Sequence, residues 1–233
     1  MTTFVLVHGA WSGAHGFRHV RRLLTAAGHE VFTPSLTGIG ERSHLTSPTI
    51  DLNTHVADVV NCLLYEDLTD LVLVGFSYGG FVVSAALERV AERVRHLVFL
   101  DAFVPTDGDS VVSLTGMALR DPVGPEAVWL VPPIPREFDD PAEAAFSQPR
   151  RTGHPVRCFT DTVRLARPVE AYDVPLTYIK ATGDPRPASG GPFWTAADHA
   201  RTSGRWGYHE IDTNHMIANN RPAELTELLL TLA

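Results

Sequence analysis

Leu71-Val72-Leu73-Val74-Gly75-Phe76-Ser77-Tyr78-Gly79-Gly80 decides how this chain is read. The first four residues form an apolar, β-branched run that suits a buried strand. Phe81-Val82-Val83-Ser84-Ala85-Ala86-Leu87-Glu88 follows and suits a helix. Between them stands Gly-x-Ser-x-Gly, a turn so tight that its serine is strained between strand and helix. Gly75 and Gly79 carry no side chain, so the two elements can approach each other closely. Ser77 is then held at the carboxyl end of a strand, beside a helix N-terminus whose amides favour a developing negative charge. Ser77 is therefore the candidate nucleophile.

The same rhythm extends outward from this turn. Thr3–Val7 reads as a wholly apolar strand, followed by the glycine-rich turn His8-Gly9-Ala10-Trp11-Ser12-Gly13. Phe17, Val20, Leu23 and Leu24 recur at helical spacing, and Gly28 stops that helix. Glu30–Thr33 is the next strand, Ile50–Tyr65 an amphipathic helix, and Val94–Leu100 a further apolar strand ending at Asp101. Later come a strand over Leu176–Ala181, a helix over Pro192–Ala200, a last strand over Gly207–Ile211 and a closing helix over Arg221–Leu232. Alternating strands and helices imply an α/β fold, a mostly parallel six-stranded sheet flanked by helices. Such sheets form their sites at the carboxyl ends of the strands, where the His8 loop, Ser77 and Asp101 all fall.

From about Pro105 to Pro168 the alternation stops and prolines accumulate. Leu114–Leu119, Glu126–Leu130 and Pro141–Phe146 read as short helices. Trp129, Phe138, Phe146 and Phe159 make the stretch too apolar for a linker, and it is too long for a loop. The expected organisation is a core of residues 1–104 and 169–233 with a small helical cap, 105–168, inserted after the strand that follows the serine turn.

Composition bounds the partners. The 233 residues are 44% hydrophobic and 20% charged, ordinary for one large globular domain. A net charge of −8 argues against nucleic acid or an anionic membrane surface. Cys62 and Cys158 form no CxxC pair, which suits two reduced thiols in a cytoplasmic protein. The chain enters its first strand almost at once, with no basic or long apolar leader and no membrane span expected. A homodimer is compatible with the sequence but not required by it.

A serine hydroxyl needs a positioned base. Among the 11 histidines, His215 is the candidate, since it follows the last strand at the site's edge. His15 and His19 are spaced i, i+4 like a metal pair, yet no Cys, Asp or Glu stands nearby in sequence. No metal and no cofactor is called for. His8 is expected to support its turn. Two carboxylates could reach the far nitrogen of His215. Asp184, displayed on the Gly183-Asp184-Pro185 turn, is the preferred one. Asp101 is the alternative, with hydrogen bonding to loop backbone under the cap as its other use. The backbone N–H groups of Tyr78 and Ala10 are the expected donors to an oxyanion. Gly9, Trp11, Phe103 and Trp129, with Leu130, are expected to line the substrate pocket.

Several stretches resemble a known family. Phe4-Val5-Leu6-Val7-His8-Gly9-Ala10-Trp11, Val31–Leu45, the serine turn, Val98–Pro105 and Asn214-His215-Met216 look like bacterial carboxylesterases of the α/β-hydrolase fold, of the pyrethroid-hydrolase type. More distantly they are similar to plant methylesterases and hydroxynitrile lyases. The resemblance implies a Ser-His-Asp triad with its aspartate at Asp184, and hydrolysis of a small-molecule carboxylic ester through an acyl-enzyme. Hydroxynitrile lyases of this kind carry a lysine after the catalytic histidine and a threonine where Gly9 stands; Met216 and Gly9 depart from that pattern. Thioester, lyase or cyclase chemistry on the same triad is the alternative, and a small-molecule receptor on the same fold a third.

Overall fold

The apolar runs become strands because their side chains alternate between two cores. The computed structural model describes residues 1–119, 129–188 and 190–233. Strand β1 (Thr3–Val7) leads to α1 (Arg18–Ala26), β2 (Glu30–Phe32), α2 (Leu52–Tyr65), β3 (Leu71–Phe76), α3 (Gly79–Val90) and β4 (Val94–Leu100). The chain continues through α4 (Val111–Thr115), β5 (Leu130–Val131), α5 (Pro141–Ser147), β6 (His154–Pro155) and α6 (Arg157–Thr160). It ends with β7 (Leu176–Ala181), α7 (Pro192–Thr202), β8 (Trp206–Ile211), α8 (Ile217–Asn220) and α9 (Pro222–Leu230).

Six strands form one sheet in the order β2-β1-β3-β4-β7-β8. Every neighbouring pair is parallel. Phe4, Leu6, Val72, Val74, Val98, Leu100, Ile179 and Ala181 face a core shared with α1, α8 and α9. Their sequence neighbours Val5, Val7, Leu71, Leu73, Leu97, Phe99, Leu176 and Tyr178 face the other core, shared with α2, α3 and α7. Both faces are covered, which is why these strands are apolar at nearly every position. Each buried aliphatic side chain contributes roughly 2 kcal/mol.

Register aligns the strand ends into one edge. Val7 pairs with Gly75, Phe76 with Leu100, Leu100 with Ile179 and Ala181 with Ile211. The chain turns from β2 back across β1 to β3, so the gap between β1 and β3 is the sheet's switch point. The His8 turn and Ser77 both emerge there.

Residues between β4 and β7 differ from the expected helices in part. Helix α4 covers Val111–Thr115, not Leu114–Leu119, because Ser110 and Ser113 form a reciprocal capping box at its start. Gly116, left-handed at φ 70°, ends it. Of the helix expected over Glu126–Leu130, residues 126–128 lie outside the described residues, and Leu130 belongs to β5, paired with β6. Helix α5 forms where expected, with Asp140 capping and Pro141 in its first turn. Val131, Val156, Cys158 and Phe159 join the α2-α3-α7 core, so this stretch enlarges an existing core.

The serine turn depends on absent side chains. A Cβ on Gly79 would lie 2.8 Å from the Val7 carbonyl oxygen, and one on Gly80 would lie 2.0 Å from the Phe103 carbonyl oxygen. Both obstacles are backbone and cannot rotate away. Gly80→Ala is expected to destabilise the fold by about 3 kcal/mol, read as a lowered urea midpoint. An unchanged midpoint would mean that the Phe103 loop yields freely.

Candidate active site

The site begins with backbone strain. Ser77 is left-handed at φ 55°, Trp11 at φ 60° and Asp101 at φ 40°. None is glycine, and each such conformation costs on the order of 1–3 kcal/mol. The three sit after β1, β3 and β4, at the same sheet edge. Surrounding hydrogen bonds hold them there: Ser77 N–H donates to Leu100 O at 3.2 Å and Asp101 N–H to Ile179 O at 2.7 Å. Phe103 N–H donates to Ser77 O at 3.2 Å, tying the loop after β4 to the serine turn.

His215 follows β8 and is buried. Its Nε2 lies 2.9 Å from Ser77 Oγ. Its Nδ1 lies 2.6 Å from Asp101 Oδ2. A carboxylate only accepts, so Nδ1 carries the proton and Nε2 is free to accept from the serine. The imidazole is flanked by Phe76, 4.8 Å between ring centroids, and by Phe193, stacked at 5.0 Å. Phe76 thus forms one wall of the histidine's slot.

The preferred reading placed Asp184 at the far nitrogen of His215, and the geometry corrects this. Asp184 Oδ2 instead accepts the backbone N–H of His215 at 2.7 Å. Asp184 clamps the histidine's main chain, and Asp101 meets its ring. Asp101 is supported from β7, where Lys180 Nζ donates to Asp101 Oδ1 at 2.7 Å and to Ala181 O at 2.6 Å. Lys180 and Asp101 are each 2% exposed. Burial alone would raise the Asp101 pKa, but the bond and charge of His215 and the charge of Lys180 outweigh it and hold it below the usual carboxylate value. Lys180→Met leaves that carboxylate with one cationic neighbour fewer in a dry site. We expect a loss of about 3 kcal/mol of stability, measured by urea unfolding; an unchanged midpoint would argue that the pair adds nothing.

The Ala10 and Tyr78 amides donate to no protein acceptor among the described residues, and both residues line a cavity with Ser77 and His215. That cavity has a volume of about 390 Å³. Trp11 and Phe103 line it, together with Phe159, Phe193 and Trp194. Gly9, Trp129 and Leu130 do not line it. A Cβ on Gly9 would sit 2.9 Å from Ser77 Cβ, so Gly9 underlies the nucleophile rather than the substrate space. Trp129 packs against the α2-α3-α7 core, and Leu130 is held in β5.

Behind the serine turn lies a buried polar group absent from the sequence reading. Tyr78 OH lies 3.0 Å from His55 Nδ1, and His55 Nε2 lies 2.8 Å from Thr37 O. Trp11 N–H donates to His154 Nδ1 at 3.3 Å. Burial holds the His55 pKa down at about 4 and the His154 pKa well below its usual value, so both rings are neutral. Ligand atoms of His55, His154 and Cys158 lie within 4.8 Å of one another, a donor set a soft metal could use. Both His55 nitrogens and His154 Nδ1 are already engaged, however, leaving His154 Nε2 as the imidazole nitrogen without a partner. His15 and His19 do not converge: His15 faces Glu41 and His19 faces Glu143. His8 supports its turn as expected, with Nδ1 at 2.9 Å from Gly9 O and Nε2 accepting Leu36 N–H at 3.0 Å.

Comparison with known proteins gives a consistent picture. The pattern of the Alpha/beta hydrolase family matches residues 4–228. A carbendazim hydrolyzing esterase from Nocardioides sp. (strain SG-4G) is 43% identical over 150 residues, covering 59% of this chain and 62% of that protein. Methylesterase 1 of Arabidopsis thaliana is 37% identical over 113 residues, 44% of this chain and 40% of that one. These alignments thus span less than two thirds of either relative. A pheophorbidase from Raphanus sativus is 30% identical over 207 residues, 78% of this chain and 76% of its own. Among solved structures, an extracellular alpha/beta-hydrolase from a Paenibacillus species superposes with a TM-score of 0.80 at 23% identity, over 99% of this chain and 98% of that one. Pyrethroid hydrolase PytH superposes at 0.73 and 18% identity, over 100% and 97%.

Proposed function

Because this chain belongs to the alpha/beta hydrolase family, we propose that it is a serine carboxylesterase acting on a small, largely apolar ester. The observation that carries this reading is the unbroken relay from Ser77 Oγ through His215 Nε2 and Nδ1 to Asp101 Oδ2. His215 Nε2 takes the Ser77 proton as Oγ attacks the ester carbonyl. Negative charge on the carbonyl oxygen is received by the amides of Ala10 and Tyr78. Asp101 keeps the proton on Nδ1 and stabilises the imidazolium that forms. The tetrahedral intermediate collapses, His215 gives its proton to the departing alcohol, and the acyl group remains on Ser77. Water then enters, loses a proton to His215 and attacks the acyl carbon. The acid leaves and Ser77 recovers its proton. The cap reading of the stretch after β4 is supported by Val111, Met117, Ile134 and Phe159, which line the cavity. The free thiols Cys62 and Cys158 support a cytoplasmic setting. No helix among the described residues is long and apolar enough to cross a membrane.

An organophosphate ester that phosphorylates activated serines tests the reading. One adduct on Ser77 is expected, located by mass spectrometry, with hydrolysis of p-nitrophenyl acetate lost in proportion. Full turnover by the fully modified protein would overturn it.

A further inference from the structure

Acidic residues outnumber basic ones in this chain, 27 to 19. Eight of the 18 arginines pair with a carboxylate among the described residues. Arg18 pairs with Glu143, Arg42 with Asp58, Arg93 with Asp67, Arg186 with Asp198 and Arg221 with Asp139. Arg136 is not among them, and it is the arginine of the catalytic cavity. It is half-buried and lines the cavity that contains Ser77 and His215. Among the described residues no carboxylate pairs with its guanidinium. Arg151 stands near it, donating Nη2 to Ile134 O at 2.8 Å, and it too pairs with no acid. Two partly desolvated guanidinium groups of like sign raise each other's cost. Burial, with the charge of Arg136, draws the Arg151 pKa down to about 10, which still leaves it cationic at neutral pH.

The carboxylates whose field reaches Arg136 are Asp184 and Asp101, and both are engaged elsewhere. Asp101 holds Lys180 and His215, and Asp184 holds the His215 amide. Trp11, Phe103, Met117 and Ile134 are among the apolar side chains that line the same cavity, with Thr115 and Lys180 as further polar lining. A planar guanidinium in such a place is shaped for a carboxylate, which it can grip through two parallel N–H bonds.

We propose that Arg136, backed by Arg151, is an anion subsite of the catalytic cavity, and that the preferred substrate is an ester carrying a free carboxylate remote from the scissile carbonyl. The apolar walls hold the hydrocarbon between the two ends. This rests on the esterase reading above, since it names that reaction's substrate class.

Mono-p-nitrophenyl adipate and p-nitrophenyl hexanoate test it, because they have the same acyl chain length and differ in one terminal carboxylate. The carboxylate ester is expected to show about tenfold higher kcat/KM, as for one charge-assisted hydrogen-bonded contact. Arg136→Gln should bring the two substrates to parity, Arg136→Lys should keep part of the preference, and added salt should erode it. Binding is read separately in Ser77→Ala protein by calorimetry with methyl hydrogen adipate and methyl hexanoate. Tighter binding of the charged ester, abolished by Arg136→Gln in the same background, supports the subsite even if neither ester is hydrolysed by the unmodified protein. That second result would sink the esterase reading alone. Equal binding of the two esters, or a preference that survives Arg136→Gln, overturns the subsite.

Discussion

Asp101→Asn lowers kcat by about four orders of magnitude, and Asp184→Asn changes it by no more than about tenfold. The first figure is the scale seen when a triad aspartate becomes an amide and the histidine loses its tautomer. Here Asp101 Oδ2 sits 2.6 Å from Nδ1, so an Asn at 101 could turn its NH2 toward the ring and leave Nε2 carrying the proton. Nε2 would then donate toward Ser77 Oγ and could not accept from it. Asp184 performs a different task. Its Oδ2 accepts a main-chain N–H, and an amide oxygen can do the same at the cost of about one charge-assisted hydrogen bond. The experiment is steady-state hydrolysis of p-nitrophenyl acetate by both variants. Asp101→Asn also strands the buried Lys180 ammonium, so the double variant Asp101→Asn with Lys180→Met is measured beside it, with folding checked by circular dichroism. If Asp184→Asn shows the larger loss in folded protein, Asp184 is the acid and the ring contact at Asp101 is incidental.

That contest shows what the sequence could and could not tell. The central strand runs were legible because burial on both faces leaves few polar positions to confuse them. The serine turn was legible because its glycines are forced by backbone contacts of 2.0 to 2.8 Å at Gly80 and Gly79. Order along the chain placed His215, and the relay to Ser77 Oγ follows from register. Order could not separate Asp101 from Asp184, since both follow strands of the same sheet edge. A signal was nonetheless present in Lys180. A lysine within Leu176–Ala181, a strand buried on every residue, requires an anionic partner close by. The pairing of Leu100 with Ile179 puts Asp101 there. Phe193 and Arg136 had no such signal: Phe193 lies in an expected helix and Arg136 in an irregular stretch, and in both cases only tertiary packing decides which cavity the side chain lines. The same holds for the region between β4 and β7, where helices of 4 to 7 residues are too short to show a period.

Acid should destabilise this protein steeply below pH 6.5, well before its carboxylates protonate. His8 and His55 are fully enclosed, and burial holds each at about 4 in the folded state. The His154 pKa is also lowered, for the same reason. An unfolded histidine titrates near 6.5. Between pH 6.5 and pH 4 the unfolded chain therefore binds protons that the folded chain refuses, and stability falls as pH falls. A shift of this size is worth roughly 3 kcal/mol for each of His8 and His55. Together they reach the scale of a whole domain's stability, about 5–15 kcal/mol. Glu41, held at about 2, acts in the same direction but only at lower pH. Urea unfolding at half-unit steps from pH 7.5 to 4.5 gives the slope, which should approach three protons taken up on unfolding from His8, His55 and His154, with a further fraction from His96, whose pKa burial also lowers. His154→Phe separates this cause from a general acid effect. It keeps a ring against Phe159, now stacked at 4.5 Å. It also removes the acceptor of the Trp11 N–H, so it should be less stable at pH 7. Its slope should nevertheless be shallower by about one proton. A stability that stays level from pH 7 to 5 would mean that these imidazoles reach water and protonate within the folded protein, and the neutral network behind Tyr78 would have to be redrawn.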